Sequence, residues 1–112
     1  MKVLLDENVT KLLKHDLIDE HDVFTVREKG WASYKNGELL KKMIEDGFDV
    51  LITFDGNLSK QQNFKKYPIP VIILSAYRSY YARLVPMIPH LKAILKTELP
   101  IGTTIISEKD LL

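Results

Sequence analysis

Apolar residues fall along this chain in two alternating rhythms, short compact runs and longer helically spaced stripes. Lys2–Leu5 is a β-rich run that Asp6-Glu7-Asn8 stops. Asn8 is a suitable N-cap for a helix from Val9 to about Asp19, which carries Leu12, Leu13 and Leu17 at helical spacing. Asp22–Val26 reads as a second strand and Gly30–Lys35 as a loop. Asn36 is expected to cap the next helix, with Leu39, Leu40, Met43 and Ile44 on its buried stripe and Gly47 at its left-handed end. Asp49–Phe54 reads as a third strand, Asp55-Gly56-Asn57 as a turn and Ser59–Lys66 as a short polar helix. The continuously apolar Val71–Leu74 suits a strand buried on both faces. Residues 79–97 look helical, with Pro86 ending or kinking the first piece and Pro89 fitting the first turn of the second. Thr103–Ile106, after Gly102, reads as the last strand.

Repeated strand–helix–strand units imply an α/β fold: a parallel, or mostly parallel, sheet of four to five strands flanked by helices. No linker, repeat or low-complexity segment interrupts residues 1–112, so one domain is expected. The hydrophobic fraction of 46% and charged fraction of 28% fit a soluble globular chain. The absence of cysteine removes disulfides, zinc–thiolate sites and thiol nucleophiles, and suggests a cytoplasmic home. The apolar run after Lys2 is too short for a secretory or membrane-spanning segment. A net charge of +1 does not advertise a nucleic-acid binder, although Lys35, Lys41, Lys42, Lys60, Lys65 and Lys66 crowd the middle of the chain.

The chemistry-bearing feature is a set of carboxylates. Asp6 directly follows the first expected strand and Asp55 the third, and functional sites of open parallel sheets lie beyond these carboxyl ends. Glu38 lies in the first turn of the Asn36 helix. Each has a structural explanation as well. Asp6 can help cap a helix, Asp55 can start a turn, and Glu38 can complement a helix dipole or pair with Lys42. Together they form an acidic cluster that a hard cation such as Mg2+ or Mn2+ would compensate, the kind of centre that supports phosphodiester cleavage. The three histidines, His15, His21 and His90, lack metal-ligand spacing, and no phosphate-cradling glycine loop or nucleophile elbow is present.

Val-Leu-Leu-Asp-Glu-Asn (3–8), Gly-Trp-Ala (30–32), Lys-Asn-Gly-Glu-Leu-Leu (35–40) and Leu-Ile-Thr-Phe-Asp-Gly-Asn-Leu (51–58), followed by Gln61-Gln62-Asn63, resemble a small family of PIN-like proteins of uncharacterised function. The resemblance implies a metal-dependent ribonuclease, often the toxin of a toxin–antitoxin module. Asp6, Glu38 and Asp55 would then be catalytic and metal-binding residues. The expected cofactor is Mg2+ or Mn2+, and the expected partners are RNA, a cognate antitoxin and a second copy in a homodimer. Where such nucleases carry a fourth acid this chain has Asn57 and Asn63; Asn57 would serve as a neutral metal ligand. Lys35, Lys60, Lys65 and Asn63 would meet nucleic acid, and Trp31 and Tyr34 would either stack on a base or anchor the core.

Two rivals stand beside this. The chain also resembles a receiver-like phosphoacceptor domain, with acids after the first strand (Asp6, Glu7), Asp55 as acceptor and Ser75-Ala76 after the fourth strand. It lacks the Lys-Pro expected after the fifth. The other rival is a catalytically silent PIN-like binding module docking through Tyr77, Tyr80 and Tyr81 with Arg78 and Arg83.

Overall fold

Five strands, Lys2–Leu5 (β1), Asp22–Thr25 (β2), Val50–Thr53 (β3), Pro70–Ser75 (β4) and Gly102–Ser107 (β5), form one sheet in the order β2-β1-β3-β4-β5. Every neighbouring pair is parallel. The structure is a computed structural model that describes residues 1–56, 64–76 and 81–108. Its helices are Leu12–Leu17 (α1), Asn36–Glu45 (α2), Tyr81–Leu84 (α3) and Ile88–Leu95 (α4), with a 3-10 turn at Val85–Met87. The expected α/β parallel sheet is therefore present.

Side-chain alternation along the strands explains the unbroken apolar runs. Val3, Leu5, Val50, Ile52, Ile72 and Leu74 point to one face, where Leu13, Leu17, Leu84, Met87, Leu91 and Leu95 of α1, α3, α4 and the 3-10 turn cover them. Leu4, Leu51, Val71 and Ile73 point to the other face, under Leu39, Leu40 and Met43 of α2. Both faces of the central strands are thus buried, as parallel sheets with helices on each side require. The chain winds outward from β1 to β2, then crosses back through α2 to β3. The strand order reverses at that crossing, so the switch point lies between β1 and β3.

α2 ends as the sequence indicates. Gly47 has φ +77°, its N–H bonds to the Ile44 carbonyl at 3.2 Å, and the Phe48 N–H bonds to the Met43 carbonyl at 2.9 Å. This double closure satisfies carbonyls that the helix leaves open, and the left-handed residue it needs is glycine. Pro86 falls in the 3-10 turn and Pro89 in the first turn of α4, separating two helices in place of one.

Two capping expectations are corrected. Asn8 does not cap α1, which begins later, at Leu12, after Lys11, with no side-chain cap. The chain turns tightly instead, the Val9 N–H bonding to the Asp6 carbonyl at 3.0 Å, which leaves the Asn8 side chain for another partner. Asn36 is not the cap of α2 either; Lys35 holds that position in extended geometry, and Asn36 is the first helical residue. The expected Glu38–Lys42 pair is replaced by Lys42 and Glu45 at 4.0 Å. The helix expected at Ser59–Lys66 lies mostly outside the described residues; residues 64–66 are a turn.

His21, just before β2, introduces a pH dependence. Its Nδ1 lies 3.4 Å from the Met1 amine, while its Nε2 is shut off from solvent without a hydrogen-bond partner. Burial, and then the nearby N-terminal amine, hold its pKa below the ordinary 6.5, with Lys96 and Lys92 acting in the same direction and Glu20 against them. The folded state therefore binds fewer protons than the unfolded chain. This contribution is complete above about pH 6.5 and is lost as pH falls from there through the lower folded value. The melting temperature should decline between pH 7.5 and 5.5, and His21→Gln should flatten the decline. An unchanged slope in that variant would exclude His21 as the cause.

Candidate functional site

β1 and β3 pair with Leu5 opposite Ile52, and the Asp6 N–H continues the ladder by bonding to the Ile52 carbonyl at 2.9 Å. Asp6, just past β1, and Thr53, the last residue of β3, consequently sit side by side. Thr53 is completely buried, yet it is polar at the end of an otherwise apolar strand. A buried hydroxyl is costly unless bonded. Its Oγ1 donates to Asp6 Oδ2 at 2.7 Å and accepts from the Asp55 N–H at 3.0 Å. One hydroxyl thereby links the two acids that the sequence singles out.

Asparagines complete the frame. Asn8 Oδ1 accepts from the Phe54 N–H at 3.1 Å, and its side chain lies 3.4 Å from Thr53 Oγ1. Asn36 Nδ2, at the start of α2, donates to Asp55 Oδ2 at 3.1 Å. The Glu7 N–H donates to Asp6 Oδ1 at 2.9 Å. The two asparagines that pattern reading assigns to helix caps instead clamp the ends of β1, β3 and α2 to one another. Asp6, Asp55 and Asn36 are all half-buried, so the acids face solvent from one side.

The other expected residues are placed less uniformly. Glu38 is exposed on the first turn of α2, two residues beyond Asn36, and lines a depression with Tyr34, Lys41, Lys42 and Glu45. Among the described residues no hydrogen bond ties it to Asp6 or Asp55, and no group of three or more acidic or histidine side chains is arranged to hold a metal ion. Lys35 and Lys65 are exposed. Asn57, Lys60 and Asn63 lie outside the described residues, as do Tyr77, Arg78 and Tyr80. Tyr81 donates to Asp16 Oδ2 at 2.7 Å, which raises its phenol pKa and commits it to an internal contact. Trp31 packs edge-on against Phe48, centroids 5.7 Å apart, and so anchors the core below the loop.

No known protein family, curated protein or solved structure matches this chain. The site is therefore read from its own chemistry. Sequence reasoning missed Thr53 as its hub, although a hydroxyl ending the apolar Val-Leu-Ile-Thr run next to an acid-terminated strand was a usable signal.

The donor set suits a hard divalent ion in kind. It consists of carboxylate and amide oxygens, and each Asp6 oxygen is committed to a single hydrogen bond, so lone pairs remain. Mg2+ commonly takes one or two protein carboxylates and completes its shell with water and phosphate oxygens. Asp6 and Asp55 supply carboxylate oxygens of that kind.

Proposed function

We propose that this chain is a metal-dependent ribonuclease whose acidic site is built on Asp6 and Asp55, with Glu38 as a third carboxylate from α2. The observation that carries this reading is the junction at Thr53. One buried hydroxyl bonds the Asp6 carboxylate, past β1, and the Asp55 N–H, past β3, at the switch point of a parallel sheet, where such folds place their ligands. Asp6 and Asp55 would hold a Mg2+ or Mn2+ ion, which would supply an activated water and offset charge at phosphorus. The chain's own part is to fix the Asp6 carboxylate through Thr53 and the Glu7 N–H, and the Asp55 carboxylate through Asn36. A toxin role with a cognate antitoxin, a homodimeric state and a cytoplasmic location belong to the same proposal. In the described residues no helix is long and apolar enough to cross a membrane.

The test is cleavage of RNA with Mn2+ or Mg2+ by the wild-type chain, Asp6→Asn, Asp55→Asn and Glu38→Gln. Metal-dependent cleavage that both aspartate variants lose is expected. Cleavage unchanged in both would sink the mechanism.

One observation favours a second reading. The order β2-β1-β3-β4-β5 is that of doubly wound folds of the flavodoxin and receiver type, and Asp55 stands just past β3, where a receiver carries its phosphoacceptor. Against it, no Lys-Pro follows Gly102–Ser107, and Asn36 donates to Asp55 Oδ2. Incubation with acetyl phosphate or beryllofluoride, followed by mass spectrometry or NMR, separates the two: a modified Asp55 requires the phosphoacceptor chemistry.

A further inference from the structure

A cleft of about 260 Å3 opens beside Asp6 on the side away from Asp55, between the ends of β1 and β2. Glu7, Thr10, Lys11, Thr25 and Arg27 line it with Asp6. We propose that this cleft is a phosphate subsite for single-stranded nucleic acid, with Lys11 and Arg27 as its cationic contacts. The substrate class rests on the nuclease reading above; the anion preference rests on the cleft itself.

The cations of the described residues are unevenly satisfied. Lys2 and Lys29 pair with Asp46, Lys14 with Glu28 and Lys96 with Glu20. Lys11 and Arg27 are exposed and make no ion pair among the described residues, although acids stand close by in the chain. Glu28 and Asp6 have other partners, while the exposed Glu7 lines the same cleft. Glu28, next to Arg27, is held by Lys14 Nζ at 2.9 Å and by the Thr25 N–H at 3.2 Å. Asp6 is held by Thr53 and by the Glu7 N–H. The two cations are thus left facing solvent over a cleft that an anion can enter.

The hydroxyls point to the same ligand chemistry. Thr10 Oγ1 accepts from the Leu12 N–H at 3.3 Å, and Thr25 Oγ1 accepts from the Glu28 N–H at 3.0 Å. The Thr25 hydroxyl also bonds the Glu28 carboxylate, whereas Thr10 uses only its oxygen and keeps its hydroxyl proton for a ligand. A guanidinium fork, an ammonium and the Thr10 hydroxyl form a set suited to phosphate oxygens. Lys35 flanks the acids from the α2 side, whereas Lys11 and Arg27 flank them from the β2 side. A backbone bound in the cleft would therefore run across Asp6.

The experiment is fluorescence anisotropy with a labelled single-stranded oligoribonucleotide in EDTA, over a salt series, so that binding is read without cleavage. Lys11→Ala and Arg27→Ala should each weaken binding roughly tenfold at low salt, and each should reduce the slope of log K against log salt by about 0.7. Lys11→Arg and Arg27→Lys should retain most of both quantities. An oligodeoxynucleotide of the same sequence should show equal losses, since the contacts are to phosphate. Both positions are exposed, so melting temperatures should not move. Wild-type affinity and slope in the double alanine variant would overturn the proposal, as would a wild-type chain that binds neither oligonucleotide. Failure of the reaction alone would appear differently, as lost or absent cleavage with these binding slopes intact.

Discussion

Replacing Thr53 by valine should cost about 2 kcal/mol of folding stability while leaving the packing volume almost unchanged. Valine keeps the shape and removes the hydroxyl. Asp6 Oδ2 loses a donor 2.7 Å away, and the Asp55 N–H loses its acceptor at 3.0 Å. A buried polar group left without its partner costs about 1–3 kcal/mol, more when it is charged. Asp6 and Asp55 are half-buried, so water recovers part of the loss and keeps the figure below the sum of two such terms. Thr53→Ser makes the contrast: it keeps the hydroxyl, gives up one methyl group and should cost only about 1 kcal/mol. Denaturant titration of the pair against wild type measures both. The functional readout separates positioning from mere stability. Mn2+-dependent cleavage, measured well below the melting temperature, should fall in Thr53→Val and persist in Thr53→Ser. Equal stability in the two variants would mean that the hydroxyl junction does not hold the ends of β1 and β3 together.

The fold was legible because its signals are local. Apolar runs of four to six residues, separated by helically spaced stripes, can close only as a parallel sheet with helices on its faces. Gly47 and the two prolines mark helix ends through backbone geometry that depends on nothing distant. Strand order was not legible, because pattern alone does not say on which side of β1 each later strand is added. Asp6 and Asp55 were visible as acids just past strand ends, which is a topological property. Asn8 and Asn36 were misread for a physical reason. An asparagine before a helical pattern can satisfy either the helix's own N–H groups or a neighbouring chain, and only the three-dimensional register decides. Here Asp6 and Thr53 are brought level by the β1–β3 ladder, and both asparagines are drawn into that junction. Lys11 and Arg27 were hidden because their isolation depends on where Glu28 and Asp6 direct their oxygens, which spacing does not reveal.

Phe48→Ala should be the most damaging single truncation on the α2 face, with a loss of about 3–4 kcal/mol and a fall in melting temperature of about 10 °C or more. Phe48 follows Gly47 and is 6% exposed. Its ring meets Phe24 at 5.7 Å and 83° and Trp31 at 5.7 Å and 68°, both edge-on. Lys2 Nζ lies 4.5 Å from its centroid and Lys29 Nζ 5.1 Å from that of Trp31. Asp46, two residues before it, draws both ammonium groups toward it and has its pKa lowered by hydrogen bonds from Lys29 and then Lys2. One ring therefore joins the end of α2, the start of β1, β2 and the loop at Trp31. Its removal leaves a cavity that α2 cannot collapse into, because the Gly47 closure fixes the helix end. The electrostatic part is minor by comparison. Asp46 is exposed and solvent screens its ion pairs, so Asp46→Ala should shift the melting temperature by only a few degrees. Trp31 is the sole tryptophan and reports the site directly. Its emission should move to longer wavelength in Phe48→Ala as the indole gains water, and stay in place in Asp46→Ala. A melting temperature within about 3 °C of wild type for Phe48→Ala would show that the aromatic cluster does not hold this face of the sheet.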